Sequence, residues 1–152
     1  MSKITNTKSM EIDMSFREKS TWVLLAVTLI VYGWYFATTL GGALGAGIPE
    51  VLDNVRLFGA IVMLVVLTII AHIIIAILSP KDADQSDERD KLIELRGDQR
   101  GAILMAIALF STMGLAMTGA SVFWIAHAAL AGLVVSEIVK AVSKLIDYRR
   151  GV

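Results

Sequence analysis

The chain contains no cysteine. That excludes a disulfide scaffold, thiolate metal ligation, and cysteine-based redox or nucleophilic chemistry. Charge is also scarce. Asp, Glu, Lys and Arg make up 18% of the residues, against ~25% in a typical soluble domain. The formal net charge is zero, which excludes both the basic footprint of a nucleic-acid binder and an acidic disordered chain. What is abundant is apolar: 56% of the 152 residues are hydrophobic, and the mean hydropathy is +0.70. The length allows one domain.

The few charges are clustered. None falls in Ser20 to Pro49, in Leu57 to Pro80, or in Gly101 to Ser136. About 20 helical residues cross a ~30 Å hydrocarbon core. The first two runs therefore hold one span each, near 21–40 and 57–78. The third is 36 residues long, roughly 54 Å as one helix, and predicts a hairpin. Small and polar residues at Met117-Thr-Gly-Ala-Ser121 mark its turn. That places the third span at 101–117 and the fourth at 122–142. The apolar runs are continuous rather than alternating, so a β-barrel is excluded. The expected fold is an all-α membrane protein with four transmembrane helices.

Lysine and arginine set the expected orientation. Four precede the first span, five lie between the second and third, and four sit at or beyond the end of the fourth. Only Arg56 falls elsewhere, between the first two spans. The positive-inside rule then puts both termini and the middle connection in the cytoplasm. The aromatic residues agree. Trp34, Tyr35, Phe36, Phe58, Phe123 and Trp124 fall near the outer boundary, and Phe16, Trp22 and Tyr148 near the inner one. Such rings collect at both interfaces.

Residues 1–13 read as a disordered polar tail, and 14–152 as a single four-helix domain. Met14 stands directly before the first span and is a candidate alternative start. The first apolar run is too long for a signal peptide. The segment Gly41-Gly-Ala-Leu-Gly-Ala-Gly47 predicts a flexible connection. It is followed by Pro49, Glu50 and Asp53, which suit the start of the next helix.

The stretch from Lys81 to Arg100 is the most distinctive. Ser86 suits an N-cap, which predicts a third helix starting near residue 86 in the cytoplasm and running into the third span. Asp87 and Lys91 have the stabilising i, i+4 spacing. Leu92 and Ile93 share a face with Arg89, Arg96 and Arg100. Gly97 weakens the helix by ~1 kcal/mol and is a candidate bend. Acids interleave with bases here, so a metal site is not expected. Arg89, Lys91, Arg96 and Arg100 are the candidate contacts to a partner protein or to lipid headgroups.

Ionisable groups within a membrane are candidate functional sites. Here they are His72, His127, Glu137 and Lys140. Rise arithmetic separates the two histidines by roughly 14 Å along the membrane normal, too far to ligate one haem. Glu137 falls near the depth of His72, so the two form a candidate proton or cation site. The competing reading is local. Glu137, Lys140 and Lys144 lie at i, i+3, i+7, where a snorkelling lysine pairs with Glu137. Small residues crowd the second half of the chain. Ala128 and Gly132 form a small-xxx-small pair, suited to a seam between the third and fourth spans or to a homodimer contact. The internal seam is favoured.

The motifs Phe16-Arg-Glu-Lys-Ser-Thr-Trp22, Tyr32-Gly-Trp-Tyr-Phe36 and Asp87-Glu-Arg-Asp-Lys-Leu-Ile-Glu-Leu-Arg96 resemble a group of small bacterial integral membrane proteins classed as a domain of unknown function. In that group an aromatic first span accompanies an Asp-Glu-Arg-Asp-like cytoplasmic motif before the third. The resemblance covers about residues 14–148; the residues before Met14 depart from it. It implies a bacterial cytoplasmic (inner) membrane and brings no catalytic residues to carry over.

No nucleophile–base pair, metal set or carboxylate dyad has workable spacing. No cofactor is expected, and neither is an enzyme. The sequence therefore points to an accessory, scaffold or regulatory subunit acting through its charged helix. It would sit in the lipid bilayer and bind another membrane or cytoplasmic protein, not nucleic acid. The alternative is a small homo-oligomeric transporter or proton-coupled carrier using Glu137 and His72.

Overall fold

The computed structural model describes residues 16–45, 50–78 and 88–150. They form four helices: α1 (Phe16–Gly45), α2 (Glu50–Leu78), α3 (Glu88–Met117) and α4 (Val122–Arg150). Each has 29 or 30 residues, about 45 Å of helix. All four are long and apolar enough to cross a membrane. The expectations for residues 1–13, Met14, Pro49, the Ser86 cap and the Asp87–Lys91 pair, and for the side chains of Glu50 and Asp53, fall outside the described residues.

Two local expectations meet different outcomes. The hairpin turn falls where small residues interrupt the apolar run. α3 ends at Met117, and Gly119 takes φ +76°, a left-handed conformation that glycine adopts without a Cβ clash. Its amide donates to the Ala116 carbonyl at 3.1 Å, and that of Thr118 to Gly114 at 3.2 Å. The glycine-rich segment is different: α1 continues through Gly41 and Gly42 to Gly45. The helix is already nucleated there, and propagation adds one hydrogen bond per residue fixed. Near a membrane, leaving those backbone groups unpaired costs more than the ~1 kcal/mol a glycine forfeits against alanine.

α1 packs against α2 and α4, and α4 against α3. The lateral order is thus α2–α1–α4–α3. Along α1 the buried residues Leu25, Thr28, Tyr32, Tyr35 and Thr39 recur with alternating spacings of three and four, a heptad seam. On α4 the seam is met by His127, Leu130, Val134, Ala141 and Leu145. Tyr32, Tyr35, Leu130 and Val134, with Ala60 of α2, form the main core, and Leu25, Ala141 and Leu145 form a smaller one. Tyr35, expected at the outer boundary, is 1% exposed. Trp34, Phe58 and Trp124 are exposed.

The α3–α4 seam is built on glycine. A Cβ on Gly132 would overlap that of Ala108, and one on Gly97 would overlap the Lys144 side chain. A Cβ on Gly101 would stand 3.3 Å from the Ser136 carbonyl oxygen. Small residues one turn apart let the two backbones approach closely. α3 runs unbroken through Gly97, so that glycine serves the close approach.

Cross-links between helices place four helix ends together. Ser20 bonds His72, Arg17 pairs with Glu94, and the Arg149 guanidinium lies 5.9 Å from the Trp22 ring centre. The start of α1, the end of α2, the start of α3 and the end of α4 therefore share one end of the bundle.

Candidate functional site

The charged part of α3 lies along the last turns of α4, and half of its charged side chains, Arg89, Glu94, Asp98 and Arg100, bond to other helices. Arg100 pairs with Asp147 at 2.8 Å. The Asp147 side chain is only 7% exposed, whereas that of Arg100 is 46% exposed. Asp98 lies between Lys144 at 2.9 Å and Lys140 at 3.4 Å. Arg89 donates to the backbone carbonyl of Tyr148 at 3.0 Å, where a cation satisfies the free carbonyls and the negative pole of α4. Most of these pairs are exposed and contribute ~0–1 kcal/mol each. Together they align α3 and α4 as one two-helix stalk.

The four basic residues read as contacts for a partner or lipid thus divide. Arg89 and Arg100 are engaged within the chain. Lys91 and Arg96 make no ion pair among the described residues. The expected common face of Leu92 and Ile93 also divides: Ile93 is 0% exposed, while Leu92 and Leu95 face outward. Gly97 and Gly101, buried beside Ile93 on α3, continue the face turned to α4.

The polar residues within the spans form separate pairs. His72 Nδ1 is 2.8 Å from the Thr68 carbonyl, and its Nε2 is 2.9 Å from the Ser20 hydroxyl. The Nδ1–H donates to the carbonyl, so the Nε2 accepts from serine. His127 has the same arrangement. Its Nδ1 is 2.7 Å from the Phe123 carbonyl and its Nε2 is 2.8 Å from the Tyr35 hydroxyl. The Phe123 ring packs on it with centroids 4.0 Å apart. Ser20 and Tyr35 are fifteen residues apart on α1, about 22 Å, so the histidines stand further apart than the rise estimate gave.

Glu137 lies 3.6 Å from Lys140. Among the described residues no direct bond joins Glu137 to His72. Glu137 does border a groove of about 260 Å³ between α1, α2 and α4, with Thr28, Tyr32 and Thr68 among its walls. The Thr68 hydroxyl is buried and has no hydrogen-bond partner among the described residues. The serines within the spans are engaged locally: Ser111 donates to the Ile107 carbonyl and Ser136 to that of Leu133.

Three features escaped the sequence reading. The Gly97-xxx-Gly101 spacing was itself a small-xxx-small signal. The heptad of buried residues on α1 would have moved Tyr35 from boundary to seam. Asp147, as the buried partner of Arg100, had no local signal, because its partner lies 47 residues away.

No protein-family model, no curated protein and no solved structure matches this chain.

Proposed function

We propose that this protein is a non-enzymatic accessory, scaffold or regulatory subunit of a bacterial cytoplasmic membrane. Its α3–α4 stalk lies in the cytoplasm with both chain termini. The distribution of Lys and Arg along the chain supports that orientation: thirteen fall in the segments before the first span, between the second and third, and at or beyond the end of the fourth, and only Arg56 falls elsewhere.

One observation carries the reading. The stalk is held on its inner face by Ile93, Gly97 and Gly101, and presents Lys91, Leu92 and Leu95 outward. Leu95 is 66% exposed and Leu92 42% on a segment rich in charged residues. An apolar pair flanked by an exposed cation suits a partner helix with an apolar face and acidic edges. Arg96, half-buried beside it, extends the positive edge. Arg89 and Arg100 set the stalk's shape.

The test is native mass spectrometry of the protein extracted gently from its own membrane. A different protein should accompany it at fixed stoichiometry and be lost in a K91A/L95S variant that still folds. A lone homo-oligomer, or unchanged association by that variant, would refute the reading.

A second reading has one observation in its favour. Glu137, Thr68 and Tyr32 border the same groove between three helices, an arrangement suited to a homo-oligomeric carrier that moves a proton or cation through Glu137, with His72 one turn beyond Thr68. Undiminished transport by a Glu137→Gln protein would remove it.

A further inference from the structure

A second groove, of about 410 Å³, runs between α1 and α2 at the end of the bundle opposite the stalk. On α2 it is lined by Arg56, Gly59, Ala60 and Met63; on α1 the limits of its wall are Val31 and Thr38. Both sets span two turns of one helix face, so the groove is elongated along the helix axes, about 10 Å from end to end. The Ser20–His72 bond joins the start of α1 to the end of α2, so the two helices are antiparallel. Thr38 therefore lies beside Arg56, and Val31 beside Met63. One end of the groove is polar and cationic, and the other is apolar.

Its floor is open. Ala60 is buried, and a Cβ placed on Gly59 would meet nothing within 4 Å. Trp34, which also lines the groove, is 63% exposed, in the manner of an indole at headgroup level. Arg56 is exposed and makes no ion pair among the described residues. Its guanidinium presents the fork that matches a phosphate.

We infer that this groove binds one phospholipid with an anionic headgroup per protomer, its phosphate on Arg56 and an acyl chain along Gly59 and Ala60 towards Met63. The gradient from cation to hydrocarbon along one groove matches the gradient along a lipid. The general lipid annulus needs no such charge, so the site is marked by selectivity and fixed stoichiometry. It stands apart from the stalk and does not depend on what docks there.

The protein would be exchanged into micelles containing phosphatidylglycerol and phosphatidylcholine with identical acyl chains, and retained lipid counted by native mass spectrometry. The expected result is one phosphatidylglycerol per protomer, held under activation that strips phosphatidylcholine. Arg56→Gln should reduce the preference by roughly tenfold or more, as loss of a charge-assisted hydrogen bond does, and Arg56→Lys should restore part of it. Gly59→Leu has room to fold and should fill the floor, lowering retention of both lipids. Equal retention of the two lipids by the unaltered protein, or an unchanged preference in the Arg56→Gln protein, would overturn the assignment. So would displacement of the lipid by excess glycerol phosphate without acyl chains, or a dimer with no lipid that Gly59→Leu dissociates.

Discussion

The Tyr35 hydroxyl donates to Nε2 of His127 across 2.8 Å, inside the seam between α1 and α4. The rings stack nearly parallel, 10° apart with centroids at 5.8 Å. Ninety-two residues separate the two in sequence. The bond therefore fixes the rotation and register of the first helix against the last.

Removing it should cost a measurable amount. Interhelical hydrogen bonds in membrane proteins average ~0.6 kcal/mol by double-mutant cycles and reach ~1.7. This one is buried, so a coupling of ~1 kcal/mol is expected between Tyr35→Phe and His127→Phe. Reversible unfolding of the two single variants and the double variant in detergent would measure it. Additive effects would show that the pair is not coupled.

The two ends of the Arg100–Asp147 pair should not be equivalent. Asp147→Asn leaves a half-exposed guanidinium that water can solvate, at a cost under about 1 kcal/mol. Arg100→Gln leaves a buried carboxylate without its partner, which should cost about 2 kcal/mol, below the full range for a fully buried pair. Denaturant titration of both variants checks the order. Equal losses would mean that Asp147 is not held in a poorly hydrated site.

Gly132 and Gly97 should respond differently to the same methyl group. At Gly132 the added carbon meets the Ala108 Cβ, which is fixed to the helix. Gly132→Ala should destabilise by about 1–3 kcal/mol. At Gly97 it meets the Lys144 chain from Cγ outward, which must swing aside and disturb its pair with Asp98, while alanine recovers ~1 kcal/mol of helix propensity. Gly97→Ala should cost less than Gly132→Ala. Thermal unfolding of the two variants, with Ala108→Gly as a partial rescue for Gly132→Ala, tests both.

The absence of cysteine makes topology directly measurable. A single cysteine at Thr118, in the α3–α4 turn, should react with a membrane-impermeant maleimide on intact cells. One at Gln99, exposed on the stalk, should react only after the membrane is opened. The reverse pattern would invert the proposed orientation.

The number of helices and their places along the chain were legible in the sequence; direction around each helix was not. Gaps between charges located the four long apolar helices, and small residues located the turn at Gly119, because long uncharged runs favour helices that bury their backbone and small polar residues favour turns. The lateral order α2–α1–α4–α3 had no such signal. It depends on which faces interlock, and α2 is apolar nearly all round. The basic residues of α3 illustrate the same limit. Their charge placed them outside the core. Whether Arg89 turned to α4 or to a partner depended on a Tyr148 carbonyl fifty-nine residues away. Gly41 to Gly45 misled for a different reason: glycine propensity is a local penalty, and a helix already formed can absorb it.

The central claim is that the outward face of the stalk is a docking surface. A photo-crosslinking amino acid at Leu95, irradiated in the native membrane, tests it most directly. Ile107, exposed on the part of α3 within the predicted span, serves as the lipid-facing control. A single protein adduct of defined mass from position 95, absent from position 107, is the predicted result. No protein adduct at 95, or the same products from both positions, would contradict it.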